Sequence, residues 1–110
     1  MNRLSTIFSA LSDATRLSLV EKLLSQGELP AGALAESTEI SAPAVSRHLK
    51  VLRTAGVIEQ RIQGTHRYYS VRPDALQQVH RWTMDHSQFW QQSLDRFDQL
   101  LALDPEGDDI

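Results

Sequence analysis

Apolar residues fall at helical spacing through the first half of the chain. Leu4, Ile7, Phe8 and Leu11 stand at i, i+3, i+4 and i+7, which predicts a first amphipathic helix ending near Leu11. Ser12 or Asp13 then offers an N-cap for a second helix, where Leu17, Val20 and Leu24 share a face with Leu23 beside it and Gly27 supplies the stop. Pro30 suits the first turn of a short third helix holding Ala33, Leu34 and Ala35. Ile40 is expected to plug the turn that follows. Ser41 caps a fourth helix, with its hydroxyl facing the Ala44 amide and Pro43 in the first turn where no amide partner is needed; Gly56 provides the exit.

After Gly56 the pattern changes. Residues 57–62 and 67–71 are rich in β-branched and aromatic side chains and flank Gly64, which predicts a hairpin. From Pro73 a period of 3.5 to 3.6 returns through Leu76, Val79, Thr83, His86, Trp90, Phe97 and Leu101, with Trp82, Phe89, Leu94 and Leu100 widening the stripe. That predicts one long helix over 73–103, and the polar residues 104–110 read as a flexible acidic tail. The order is α-α-α-α-β-β-α, mainly α with a small β-hairpin. A short helix, a turn, a capped helix and a hairpin in succession make a winged helix-turn-helix, so 1–110 reads as a single domain of that kind.

Composition narrows the chemistry. The chain has 110 residues, 41% of them hydrophobic and 23% charged, as expected of one globular domain that folds in water. With neither a signal-peptide pattern nor an 18-residue apolar span, the expected address is cytoplasmic and no membrane partner is expected. The chain has no cysteine, which removes thiolate metal sites, disulfides and thiol switches. The net charge of -3 hides an asymmetry. Residues 41–72 hold six basic side chains against one acidic, a balance of +5, whereas 73–110 hold two against eight, a balance of -6.

On the fourth helix, Val45, Leu49 and Leu52 lie within about 60° of one another, and the opposite side centres on Arg47 and Thr54 with Pro43 and Lys50 beside it. Ser46 and His48 sit on the flanks. A basic face of this kind can be merely solvated, but its companions on the hairpin, Arg61, His66 and Arg67, favour a DNA surface. Arg and Lys bond guanine edges in the major groove, and arginines near a hairpin tip reach phosphates or a minor groove. The rival reading is a winged-helix module whose basic face meets an acidic protein.

The segments LSDATRLSLVEKLL (11–24), LPAGALAE (29–36), SAPAVSRHLKVLRTAGVI (41–58) and GTHRYYSV (64–71) resemble the bacterial ArsR/SmtB family of winged-helix repressors over roughly residues 4–103. The resemblance implies a homodimer built by the first and last helices that binds an inverted-repeat operator in double-stranded DNA and represses transcription until a signal releases it. It makes Ser41–Ala55 the recognition helix. The expected DNA-contacting residues are Ser41, Pro43, Ala44, Ser46, Arg47, His48 and Lys50 on that helix, with Arg61, Thr65, His66 and Arg67 on the wing. The expected dimer interface is Leu4, Ile7, Phe8, Trp82, Phe89, Trp90, Phe97 and Leu101. Where the family often has Gln after the capping Ser, this chain has Ala42, which removes an amide base contact. Arg16, at the arginine of the family's LSDPTR motif, could touch phosphate or pair with Asp13.

Many relatives sense metals through cysteines, absent here, or through Asp and His on the last helix. His80 and His86 are six residues apart, about 240° around a helix, and do not share a chelating face even with Asp85 between them. No metal or other cofactor is therefore expected, although a metal- or ligand-responsive derepressor of the same fold stays open and the inducer is unidentified. The aromatic residues of the last helix suit a dimer interface better than an effector pocket. No nucleophile with a base, glycine-rich phosphate loop or paired carboxylates occurs at useful spacing, so an enzyme is not expected.

Overall fold

A computed structural model describes residues 3–103 and shows six helices and three short strands: α1 (Arg3–Leu11), α2 (Ala14–Gln26), β1 (Leu29–Pro30), α3 (Ala31–Glu36), α4 (Ala42–Thr54), β2 (Ile58–Gln63), β3 (His66–Val71), α5 (Pro73–Asp85) and α6 (Ser87–Leu103). The acidic tail, 104–110, lies outside the described residues. The chain groups into two compact units that divide between Gln78 and Val79, within α5.

In the first unit the helix boundaries follow from local chemistry. Asp13 caps α2 by accepting the Arg16 amide at 3.0 Å, while Ser12 donates its hydroxyl to the Ser9 carbonyl at 2.7 Å and so closes α1. Gly27 ends α2 at φ +80°, a value that a side-chain-bearing residue rarely adopts. Ser41 caps α4 through the Ala44 amide at 3.3 Å. The core is made by Ile7 and Ala10 of α1, Leu19, Val20 and Leu23 of α2, Leu34 of α3, Val45, Leu49 and Leu52 of α4, and Val57, Ile58, Tyr69 and Ala75.

Four features depart from the sequence reading. Leu17 and Leu24 are 43% and 53% exposed, and α2 buries Leu19 in their place. Both sets satisfy helical spacing, and packing against α1, α4 and β3 selects between them. Ile40 is half-exposed and does not plug its turn. Pro30 precedes α3 as its N-cap and belongs to β1, whose two residues pair antiparallel with β3, Leu29 opposite Tyr69 and Pro30 opposite Tyr68. The resulting sheet has the order β1-β3-β2, with β2 and β3 paired from Ile58–Val71 to Gln63–His66. Gly64, at φ +62°, opens the two-residue turn between them, as a type II′ hairpin demands of its first central residue.

The fourth departure is in the second unit, where the expected single helix is two. At His86 the amide bonds the Thr83 carbonyl at 3.2 Å, and the ring Nδ1 sits 2.7 Å from the Trp82 carbonyl. Thr83 in turn donates its hydroxyl to the Val79 carbonyl at 3.0 Å. The His86 ring thus competes for a carbonyl of the last turn of α5, and the chain restarts as α6. No residue of α6 is buried, and Phe89, Trp90, Leu94, Phe97, Leu100 and Leu101 are between 43% and 60% exposed.

Candidate nucleic-acid interface

The site is built on α4. Val45, Leu49 and Leu52 are no more than 2% exposed and fix the helix to its unit, as their spacing requires. The opposite side consequently points outward: Ser41, Pro43, Ser46, Arg47 and Lys50 are exposed, and Ala44 is half-buried. On the hairpin Arg61, Thr65, His66 and Arg67 are all exposed. The hairpin and the helix meet at a cleft of about 200 Å³ lined by Ser46, Leu49, Lys50, Arg53, Gln60, Arg67 and Tyr69. Lys50 and Arg67, 17 positions apart in the chain, thus face one groove. Arg53 donates to the Gln60 side chain across the same junction. Arg53, Gln60 and Tyr69 were not among the expected site residues; Arg53 lies three residues after Lys50 and was legible as an extension of the basic face.

The exposed cations differ in what holds them. Among the described residues, the side chains of Arg47, Lys50 and Arg67 have neither an ion-pair nor a hydrogen-bond partner. Arg61 is otherwise disposed. It forms a two-pronged bond to Glu28 at 2.8 and 3.2 Å, a bond to Gln63 at 2.8 Å, and stacks over the ring of its cross-strand neighbour Tyr68 at 4.6 Å. The Arg61 bonds hold the Glu28 carboxyl below its ordinary pKa, and the same bonds raise that of Arg61. Its charge is balanced within the protein by Glu28.

His48 is also engaged within the protein. It is half-buried, with Nδ1 3.4 Å from Arg16 Nη1 and 4.0 Å from Asp13 Oδ1. Among the described residues Arg16 forms no ion pair with Asp13. Its guanidinium donates from Nε to the Ala10 carbonyl at 2.6 Å, satisfying an end of α1, and turns toward His48. The Asp13 carboxyl is held below its ordinary pKa chiefly by the Arg16 amide, with His48 and the Arg16 charge adding to the effect. Asp13, Arg16 and His48 together seat α4 against the first two helices.

The expected interface residues fall into two groups. Ile7 is fully buried within its own unit and is a core residue, which corrects its assignment to a dimer interface. Its position on the same stripe as Leu4 and Phe8 could not separate core from interface. Leu4 is half-buried and Phe8 is 39% exposed, whereas Trp82, Phe89, Trp90, Phe97 and Leu101 all present large apolar surface. His80, Asp85 and His86 are exposed, and among the described residues no three His, Asp or Glu side chains converge to hold a metal ion.

The model of the bacterial regulatory protein, arsR family, matches residues 13–60, from the cap of α2 into β2. An HTH-type transcriptional regulator of Mycobacterium tuberculosis is 42% identical over 102 residues, covering 93% of this chain and 90% of its own. The chain belongs to the ArsR family. Within it, the transcriptional repressor SdpR of Bacillus subtilis is 37% identical over 82 residues, 74% of this chain and 90% of SdpR. Among solved structures, an ArsR-like transcriptional regulator from Rhodococcus sp. RHA1 superimposes with a TM-score of 0.69 at 26% identity, covering 89% of this chain and 92% of that one. A homodimeric winged helix-turn-helix DNA-binding domain from Mycobacterium bovis does so at 0.61 and 28% identity, over 77% and 83% of the two chains. The winged helix-turn-helix is therefore the fold of this ArsR-family chain, with α3 and α4 as the helix-turn-helix and β2–β3 as the wing. Among the described residues no helix is long and apolar enough to cross a membrane.

Proposed function

We propose that this ArsR-family chain is a dimeric, sequence-specific DNA-binding repressor that acts in the cytoplasm and seats α4 of each protomer in a major groove. The observation that carries the reading is that Lys50 of α4 and Arg67 of β3, neither with an ion-pair partner, face one cleft between helix and wing, while Arg47 stands exposed and unpaired on the same helix. Thirteen residues make α4 about 20 Å long, and its buried stripe fixes which side chains reach outward. Arg47, with Ser46 beside it, is the candidate for base edges, while Lys50 and Arg67 suit phosphates. Ser41 and Pro43 bring the start of α4 toward the duplex, and Thr65 and His66 do the same for the wing tip. The apolar surface of α6, with Phe8 and Leu4 of α1, is assigned to the second protomer, in keeping with the homodimeric relative.

Selection of duplexes from a random pool by the purified protein, followed by sequencing, tests the reading. An inverted repeat with half-sites one helical turn apart, about 34 Å, is expected. A pool left unenriched after repeated rounds refutes it.

A further inference from the structure

A second cleft of about 610 Å³ opens between α1, α2 and α4 of the first unit, within the size range of small-molecule sites. The surface it exposes is mostly apolar, from Ala10, Val51 and Ala55 and the carbon portions of its other side chains, and among the described residues its charged members are Arg16, Arg47 and Lys50, with no carboxylate. Val51 is 43% exposed on α4, an apolar side chain left toward solvent on a helix whose core face is already complete. Two of the three cations, Arg47 and Lys50, have uncompensated side chains among the described residues. An apolar hollow with cations and no acid selects a molecule with an apolar body and a single negative head, because burying the body in it removes water from apolar surface while a guanidinium or ammonium meets the head.

We propose that this cleft binds a small amphipathic carboxylate, and that its occupancy and DNA binding exclude one another. The second half rests on the function proposed above, since Arg47 and Lys50 belong to both surfaces and a head group bonded to them occupies side chains that a duplex would otherwise engage. The cleft touches α4 on its flank, so the ligand acts at the DNA surface itself and no relayed change of shape is required.

Octanoate is the probe, titrated at constant ionic strength into the isotope-labelled full chain without DNA and followed by amide resonances. Two controls separate its parts: 1-octanol has the body without the charge, and acetate has the charge without the body. Saturable shifts centred on Val51, Thr54 and Ala55 are expected for octanoate, with each control at least tenfold weaker. Val51→Asp should weaken octanoate at least tenfold and Lys50→Gln at least threefold, in proteins whose circular dichroism is that of the parent. Shifts that do not saturate, a control that matches octanoate, or affinity indifferent to both substitutions would overturn the site. A gel shift with the selected duplex then reads the exclusion: octanoate should raise the apparent Kd for DNA in proportion to its own occupancy. Saturable octanoate binding with an unchanged Kd for DNA overturns the exclusion alone. A protein that binds octanoate but no duplex, with or without it, refutes the DNA reading and leaves the cleft established.

Discussion

Replacing Arg67 and Arg61 by glutamine, one at a time, separates two cations that are close in sequence and opposite in circumstance. Each protomer turns three cations without an acidic partner toward the cleft between α4 and the wing, Lys50, Arg53 and Arg67, so a dimer offers six to phosphates. Each phosphate neutralised adds about 0.9 to the slope of log K against log salt, which gives about -5.4 for the parent and a loss of about a thousandfold in affinity between 50 and 200 mM salt. Arg67→Gln removes two cations per dimer and should flatten the slope to about -3.6. Arg61→Gln should leave it near the parent value, because the Arg61–Glu28 pair is already neutral and displaces few counterions when DNA arrives. The assay is fluorescence anisotropy with the selected duplex at five or six salt concentrations. A parent slope shallower than about -2, or equal flattening by the two substitutions, would refute this division of the basic residues.

Other outcomes follow from the packing and the ion pairs. Leu52→Ala, at a fully buried position beneath the DNA-facing side of α4, should cost about 3 kcal/mol in urea unfolding and lower DNA affinity by loosening the helix. Trp90→Asp, on a helix with no buried residue, should leave the monomer folded and shift sedimentation from dimer to monomer at micromolar concentration. Asp74, bound to Arg3 at 2.6 Å and Arg72 at 3.1 Å, is held below its ordinary pKa by the Arg3 bond first and the Arg72 bond second. Its contribution to stability is present above the unfolded value of 3.8 and is lost as pH falls through the lower folded value. The melting temperature of Asp74→Asn should therefore lie below that of the parent at pH 7, and the gap should close toward pH 2.

The helix-turn-helix and the outward side of α4 were legible because they rest on local rules. Ser41, Pro43 and Gly56 mark the ends of α4, and Val45, Leu49 and Leu52 orient it without reference to anything distant. What escaped depends on contacts far apart in the chain. Glu28 and Arg61 are 33 residues apart, and nothing in either neighbourhood announces their pairing. Arg16 and His48, 32 apart, are similar: each looked available to DNA until the packing of α2 beside α4 brought them together. Strand β1 has two residues, one of them proline, and is too short to alternate. The interruption at His86 is invisible for the opposite reason, since the apolar period runs on through it and the break shows only in the hydrogen bonds around His86.

The three-stranded sheet solves a problem that any DNA-reaching wing creates. A hairpin that projects far enough to touch a duplex is also a flat ladder of backbone groups onto which a stray strand could add. Here one outer strand, β1, ends after two residues and contains Pro30, which has no N–H to offer a newcomer. The other, β2, carries charged Glu59 and Arg61 among its six residues. The protein can hold its wing out in water and still give misfolded neighbours no template on which to grow.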